Sequence, residues 1–148
     1  MKRIAVLFSL LALVACDSST GVGFGVITYS IVSVNNQSPD AAVPIGFTQY
    51  RVSIPRASLI LRPDGSVEER MQYVITHQSN DTRIAATDTT FGHYVEQDGV
   101  FDIRMPDANG TELYAGTGQE GAGGLVLSRS WRKEGVLVTA DIAYYRSN

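Results

Sequence analysis

Alternation of apolar and polar residues with a period of two is the feature that most limits how this chain can fold. The longest series lies in residues 135–145, and shorter ones lie in 66–77 and 100–106. The apolar members of the longest series are Val136, Val138, Ala140, Ile142 and Tyr144. This pattern gives a strand one apolar face and one wet face, which is typical of an antiparallel sheet.

Short turn dipeptides separate the alternating runs. They are Asn35-Asn36, Asp64-Gly65, Asp98-Gly99, Asn109-Gly110 and Glu134-Gly135. Asn-Gly and Asp-Gly supply the positive φ angles that tight hairpins need. Each dipeptide therefore predicts a reversal between neighbouring strands.

The runs between the turns predict eight strands, with under a tenth of the domain in helix. The predicted ranges are 26–34, 49–62, 66–77, 83–96, 100–106, 111–116, 124–131 and 135–145. Pro55 predicts a bulge or an edge in the second strand, and Gly92 a similar irregularity in the fourth. A helix is the alternative for 66–77, because Ser66 and Glu69 fit a capping box. The β-branched residues in 74–76 favour the strand.

The predicted strands follow one another as hairpins, without a long crossover connection. This order predicts an all-β fold in which residues 26–148 form an eight-stranded antiparallel up-and-down barrel. Closure into a barrel removes the exposed edges of the sheet. A β-sandwich is the alternative. The length fits a single domain.

The N-terminus has the layout of a secretory signal over residues 1–15. Lys2 and Arg3 precede an apolar run that is too short to cross ~30 Å of hydrocarbon as a helix. The segment Leu13-Val14-Ala15-Cys16 resembles the lipobox of bacterial lipoproteins, which implies cleavage before Cys16 and acylation of its sulfur. Residues 16–25 then form a lipidated, flexible tether. The resemblance implies a bacterial cell-envelope protein that faces the periplasm, and Asp17 does not decide between the inner and the outer membrane.

Charge and cysteine content exclude two classes of function. Removing Lys2 and Arg3 from the twelve basic residues leaves ten against fifteen acidic ones, a net charge of −5. A mildly acidic surface gives no electrostatic reason to bind nucleic acid. Cys16 is the only cysteine, so the domain has neither a disulfide nor a thiol-based site.

Four short features resemble the bacterial lipocalin-like lipoproteins, most of which have no assigned function. They are Tyr29–Asn36, a loop that contains Pro44, Ser58–Ser66 with its Asp-Gly hairpin, and Gly92-His-Tyr94. The sequence departs from that family at Asn36, where glycine is usual, and it lacks the Gly-x-Trp of the first lipocalin strand. The resemblance implies a small barrel that holds an apolar ligand, and it implies little chemistry.

Motifs for catalysis or cofactors are weak in this chain. Gly116–Gly121 matches G-x-G-x-x-G, but a strand follows it where a phosphate site needs a helix N-terminus. We interpret this segment as a flexible loop at the mouth of the barrel. His77 and His93 lack metal-ligand spacing, and no Gly-x-Ser-x-Gly elbow occurs. We predict no enzyme activity, no catalytic residue, no metal and no cofactor.

Five aromatic residues are the candidates for a ligand site: Tyr29, Tyr73, Phe101, Trp131 and Tyr144. An eight-stranded barrel is just wide enough to be filled by side chains or to hold one small ligand. One hypothesis is therefore a lipid-anchored module that binds a small apolar molecule inside the barrel. The other is an envelope structural or interaction module with a solid barrel, whose outer surface meets another protein.

Overall fold

The structure is a computed structural model that describes residues 25–119 and 123–147. This part of the chain contains nine strands and no helix. They are β1 (Ile27–Val34), β2 (Val43–Pro44), β3 (Tyr50–Leu61), β4 (Ser66–His77), β5 (Arg83–Gln97), β6 (Val100–Pro106), β7 (Glu112–Gln119), β8 (Gly124–Lys133) and β9 (Val136–Arg146). The eight predicted strands are confirmed, and the two-residue strand β2 is an addition. No helix that could span a membrane occurs among these residues.

One antiparallel sheet contains all the strands, in the order β7-β6-β5-β4-β3-β1-β9-β8, with β2 beside β3. Consecutive long strands pair as hairpins from β3 to β7, and β9 returns to pair with β1, where Tyr29 lies opposite Arg146. The sheet therefore curls into a nearly closed barrel. The up-and-down barrel is confirmed, and the sandwich alternative is wrong.

The barrel closes at a seam between β7 and β8. Backbone pairing joins β7 only to β6 and β8 only to β9 among the described residues. The two strands still touch, since a Cβ atom on Gly116 would lie 2.3 Å from the Val126 carbonyl oxygen. The predicted loop at Gly116–Gly121 is thus wrong for Gly116–Gln119, which is the end of β7. Its glycines let β7 lie against β8, and residues 120–122 lie outside the described part.

Local geometry follows the turn chemistry. Both residues have positive φ in three of the five dipeptides: Asn35 (47°) and Asn36 (61°), Asp98 (54°) and Gly99 (78°), and Glu134 (48°) and Gly135 (82°). Paired positive φ angles match the right-handed twist of the flanking strands.

The bulge predicted at Pro55 is confirmed by a register shift between Ser53 and Arg56. The irregularity predicted at Gly92 is wrong, since Gly92 lies opposite Val67 in continuous register. A Cβ atom there would lie 2.2 Å from the Arg104 carbonyl oxygen, so this glycine permits a close backbone approach instead.

The inward faces of the strands form one cluster of buried apolar side chains. On β4 the inward set includes Val67, Met71, Tyr73 and Ile75, all at most 2% exposed. The helix alternative for 66–77 is therefore wrong. In β4 every second residue from Val67 to Ile75 points into the core, so the strand buries one full face. A helix over the same residues could not bury all of them on one face.

Candidate functional site

The five predicted aromatic residues all contact the barrel core. Tyr29, Tyr73, Phe101 and Tyr144 are at most 1% exposed, while Trp131 is partly buried against the core. Only Tyr73 and Trp131 meet as a ring pair within this set, with centroids 5.5 Å apart and planes at 65°. Phe101 instead packs edge-on against Tyr94 at 5.4 Å. The set therefore serves as core filling along the barrel.

A buried ion pair crosses the barrel next to these rings. Arg129 Nε of β8 donates to Glu69 Oε2 of β4 at 2.8 Å, and the Tyr144 hydroxyl of β9 donates to Glu69 Oε1 at 2.7 Å. Arg129 Nη1 also donates to the Pro106 carbonyl oxygen at 3.0 Å. Glu69 is 0% and Arg129 4% exposed. Both carboxylate oxygens thus have partners, as a charge inside a core requires.

Sequence reasoning missed Glu69 and Arg129, although a signal was present. Glu69 falls in the inward series between Val67 and Met71, and Arg129 follows Leu125 and Leu127 at the same period. A charged residue at an inward position needs an opposite charge in the interior. Two such residues on different strands indicate a pair.

Burial raises the pKa of the tyrosines that surround this network. The pKa of Tyr144 lies well above 10 because of burial first, and then because of the negative charge and hydrogen bond of Glu69. The pKa of Tyr73 is raised by burial and by Asp88, which accepts a hydrogen bond from the Tyr73 hydroxyl. Neither phenol is therefore a base or a nucleophile near neutral pH.

A polar cluster lies at the edge of the core where Trp131 is only partly buried. Lys133 Nζ lies 3.4 Å from Asp88 Oδ1, and the two side chains are 32% and 38% exposed. The Trp131 Nε1 atom is buried and has no hydrogen-bond partner among the described residues. Water thus reaches Lys133, Asp88 and part of Trp131 at this edge of the core, while Tyr73 beside them is fully buried.

The two histidines make separate contacts at the surface of the barrel. His77 packs edge-on against Tyr50 with centroids 4.8 Å apart, and His93 Nδ1 lies 2.5 Å from Glu112 Oε1. Across residues 25–119 and 123–147, no group of three or more His, Cys, Asp and Glu could hold a metal ion.

The outer face of β1, β9 and β8 carries exposed apolar side chains. Val126 of β8, Tyr145 of β9 and Val32 of β1 are each at least 50% exposed. Val126 lies opposite Ala143, two residues before Tyr145, and Ser33 lies opposite Ala143 on the other side of β9. We name Val32, Val126 and Tyr145 the apolar patch. Exposed apolar side chains on neighbouring strands are candidates for protein contact.

A notch in the barrel wall adjoins this patch. Pairing between β1 and β3 ends at Ser30 and Ser58, after which β1 stays paired with β9 and is bridged to Gln37 at Val34. The strands part at the Pro55 bulge and leave a groove of about 640 Å³. We name this groove the β1–β3 notch. Its buried floor includes Ala57 and Met71, and its walls carry Arg56, Arg70, Ser30 and Ser58.

Cys16 and the tether, with the signal segment before it, lie outside the described residues except for Gly25. Comparison of the chain with protein-family models, with curated proteins and with solved structures found no match.

Proposed function

We propose that this chain is a lipid-anchored protein of the bacterial cell envelope, held by acylated Cys16, whose solid barrel binds other envelope proteins through its outer surface. The filled interior carries the proposal. Positions that would line a ligand cavity are occupied by Tyr29, Phe101 and Tyr144, and the Glu69–Arg129 pair spans the space between strands. A ligand entering there would have to break a buried ion pair, at a cost of several kcal/mol.

The outer surface supports the same function. The apolar patch exposes Tyr145 and two valines on one sheet face, and tyrosine is enriched at protein interfaces. Ile27 lies opposite Leu61, so the start of the domain is at the same barrel end as the Asp64-Gly65 turn. A short tether from Cys16 would hold this end near the bilayer and leave the sides of the barrel free.

In-cell photo-crosslinking tests the proposal. A photoreactive amino acid at Val126, in the apolar patch, should give a defined crosslinked species in the membrane fraction. The same amino acid at Thr139, exposed on β9 outside the patch, should not. Tyr145→Asp should abolish the Val126 crosslink. Equal or absent crosslinking from both positions would count against the proposal.

A second candidate function is the binding of a small apolar ligand inside the barrel, which the likeness to lipocalin-like lipoproteins suggests. The partly exposed cluster of Trp131, Asp88 and Lys133 favours it, because a ligand could enter there beside Tyr73. Native mass spectrometry of the detergent-extracted protein separates the two functions. A co-purifying apolar molecule that Phe101→Glu removes without unfolding the protein would establish the second candidate.

A further inference from the structure

We infer that the β1–β3 notch is a peptide-binding site that takes an extended segment bearing acidic side chains, which adds a strand to the free edge of β3. The inference deepens the proposed function by naming the class of partner. It rests on one part of the proposed function, namely that the barrel is solid and binds proteins through its outer surface. It does not require the apolar patch.

The first argument is the free strand edge. Along residues 53–57, β3 pairs with β4 on one side and with no strand on the other. The Ile54 amide donates to the Pro39 carbonyl at 2.9 Å, and Pro55 has no N–H, so the unpaired main-chain groups of this edge lie in residues 55–57. Facing it, β1 pairs with β9 from Ile31 onward, and its other edge is bridged to Gln37 at Val34. Unpaired main-chain groups at a sheet edge are a template for an incoming strand.

The second argument is size and shape. The notch has a volume of about 640 Å³, within the ~300–1,000 Å³ range of ligand pockets. Its floor of Ala57 and Met71 is apolar and its walls carry hydroxyls from Ser30 and Ser58. An extended peptide points alternate side chains in opposite directions, so it can place apolar groups on this floor and polar groups at the rim.

The third argument is charge. Arg56 and Arg70 line the notch, and no described residue that lines it is acidic, although the whole chain is acidic. Arg70 donates through Nε to Glu68, whereas Arg56 makes no ion pair or hydrogen bond within the described part of the chain. Arg56 stands directly after the bulge at Pro55, and bulges re-aim side chains. Arg56 thus gives the notch one guanidinium without a partner in the described part of the chain, and guanidinium groups bind carboxylates in bidentate geometry.

A displayed library of randomised seven-residue peptides, selected on the mature full-length protein in detergent, tests the inference. Peptides that alternate Asp or Glu with apolar residues should be enriched. The enriched peptides should bind Arg56→Glu at least about tenfold more weakly, because a charge-assisted hydrogen bond is lost. Selection on Arg56→Glu should instead enrich Lys and Arg. Arg51→Glu, on the same strand outside the notch, is the matched control and should behave as the unaltered protein.

Two further measurements separate strand addition from simple charge attraction. Methylating one backbone nitrogen of an enriched peptide should abolish binding if the peptide pairs with β3. Bound peptide should also slow amide hydrogen exchange in residues 56–57, because Pro55 has no amide hydrogen and the Ile54 amide already donates to Pro39.

Several outcomes would overturn the inference. One is that acidic peptides are enriched no more on the unaltered protein than on Arg56→Glu, and another is that Arg51→Glu and Arg56→Glu lose equal peptide affinity. The others are that the N-methylated peptide binds unchanged, or that free glutamate binds as tightly as the peptide. The last result would make the notch a small-anion site. Failure of the patch crosslink at Val126 would leave these measurements unaffected, so the two proposals fail separately.

Discussion

Arg129 on β8 donates from Nε to Glu69 on β4 across 2.8 Å in the barrel interior, sixty residues apart in the chain. The same guanidinium donates to the carbonyl of Pro106, at the end of β6. Ser130 Oγ also accepts from the Ala108 amide at 3.3 Å. These contacts join β8 to strands on the far side of the seam, where β7 and β8 have no backbone pairing among the described residues. Side-chain polar contacts therefore hold the barrel closed where the sheet does not.

Removing one partner of this pair should destabilise the fold strongly. Arg129→Met leaves the Glu69 carboxylate buried with only Tyr144 as a donor, and we expect a loss of about 3–5 kcal/mol in the free energy of unfolding. The double variant Glu69→Leu/Arg129→Met removes both charges and should lose much less than the sum of the single variants. Urea unfolding of the unaltered protein, Glu69→Leu, Arg129→Met and the double variant measures this coupling. Additive losses would show that the pair does not act as a unit.

The seam also depends on glycine. Gly116→Ala should push β7 from β8, because its Cβ would lie 2.3 Å from the Val126 carbonyl oxygen, which is backbone and cannot rotate away. Gly118→Ala should cost less, since the nearest atom is Leu125 Cδ2 at 3.2 Å. Gly25→Ala, with nothing within 4 Å, is the control. We expect midpoints of thermal unfolding in the order Gly25→Ala, Gly118→Ala, Gly116→Ala, from highest to lowest, and another order would contradict a tight seam.

Local signals explain why the strands could be predicted and the closure could not. Alternation and turn dipeptides act between near neighbours, and they predicted each long strand boundary to within three residues. The largest error was at β7, where Gly116 and Gly118 were interpreted as a loop although they serve a contact with β8. That contact depends on a distant strand, which a local pattern does not contain.

The candidate site also has a part that the sequence could predict and a part that it could not. Period two predicted correctly that Tyr73 and Tyr144 face inward, because direction along a strand is a local property. It did not predict that Glu69 pairs with Arg129, since that choice depends on the curvature of the whole sheet. The β1–β3 notch arises where β1 loses its pairing with β3 after Ser30 while it stays paired with β9. Only the Pro55 bulge on one wall of the notch had a sequence signal.

Alkaline pH should unfold the protein. The pKa of Tyr29, Tyr73, Tyr94 and Tyr144 is raised in the fold, mainly by burial. An unfolded tyrosine ionises near pH 10 while the folded one stays protonated. Their contribution to stability is therefore complete below pH 10 and is lost as the pH rises toward the folded pKa, by up to about 1.4 kcal/mol per pH unit for each tyrosine.

Circular dichroism over a pH series above 9 measures this loss. Tyr144→Phe should reduce the number of protons released on alkaline unfolding by one, because Tyr144 is buried with its hydroxyl on Glu69. Tyr145→Phe changes the exposed neighbour and serves as the control. The same pH profile for Tyr144→Phe and the unaltered protein would rule out Tyr144 as a contributor.

The lipid anchor should be the sole attachment of the domain to the membrane. Without residues 1–15, the chain carries ten basic and fifteen acidic residues, so it gives no electrostatic attraction to an anionic bilayer. Two acyl chains on Cys16 would give stable attachment, where a single myristoyl chain gives only marginal binding, with a constant of about 10⁴ M⁻¹. Cys16→Ala should therefore release the protein from the membrane fraction or stop its processing, while Ser18→Ala should leave both unchanged. Membrane fractionation with mass spectrometry of the N-terminal peptide measures both effects, and a correctly processed Cys16→Ala protein that stays on the membrane would refute the anchor.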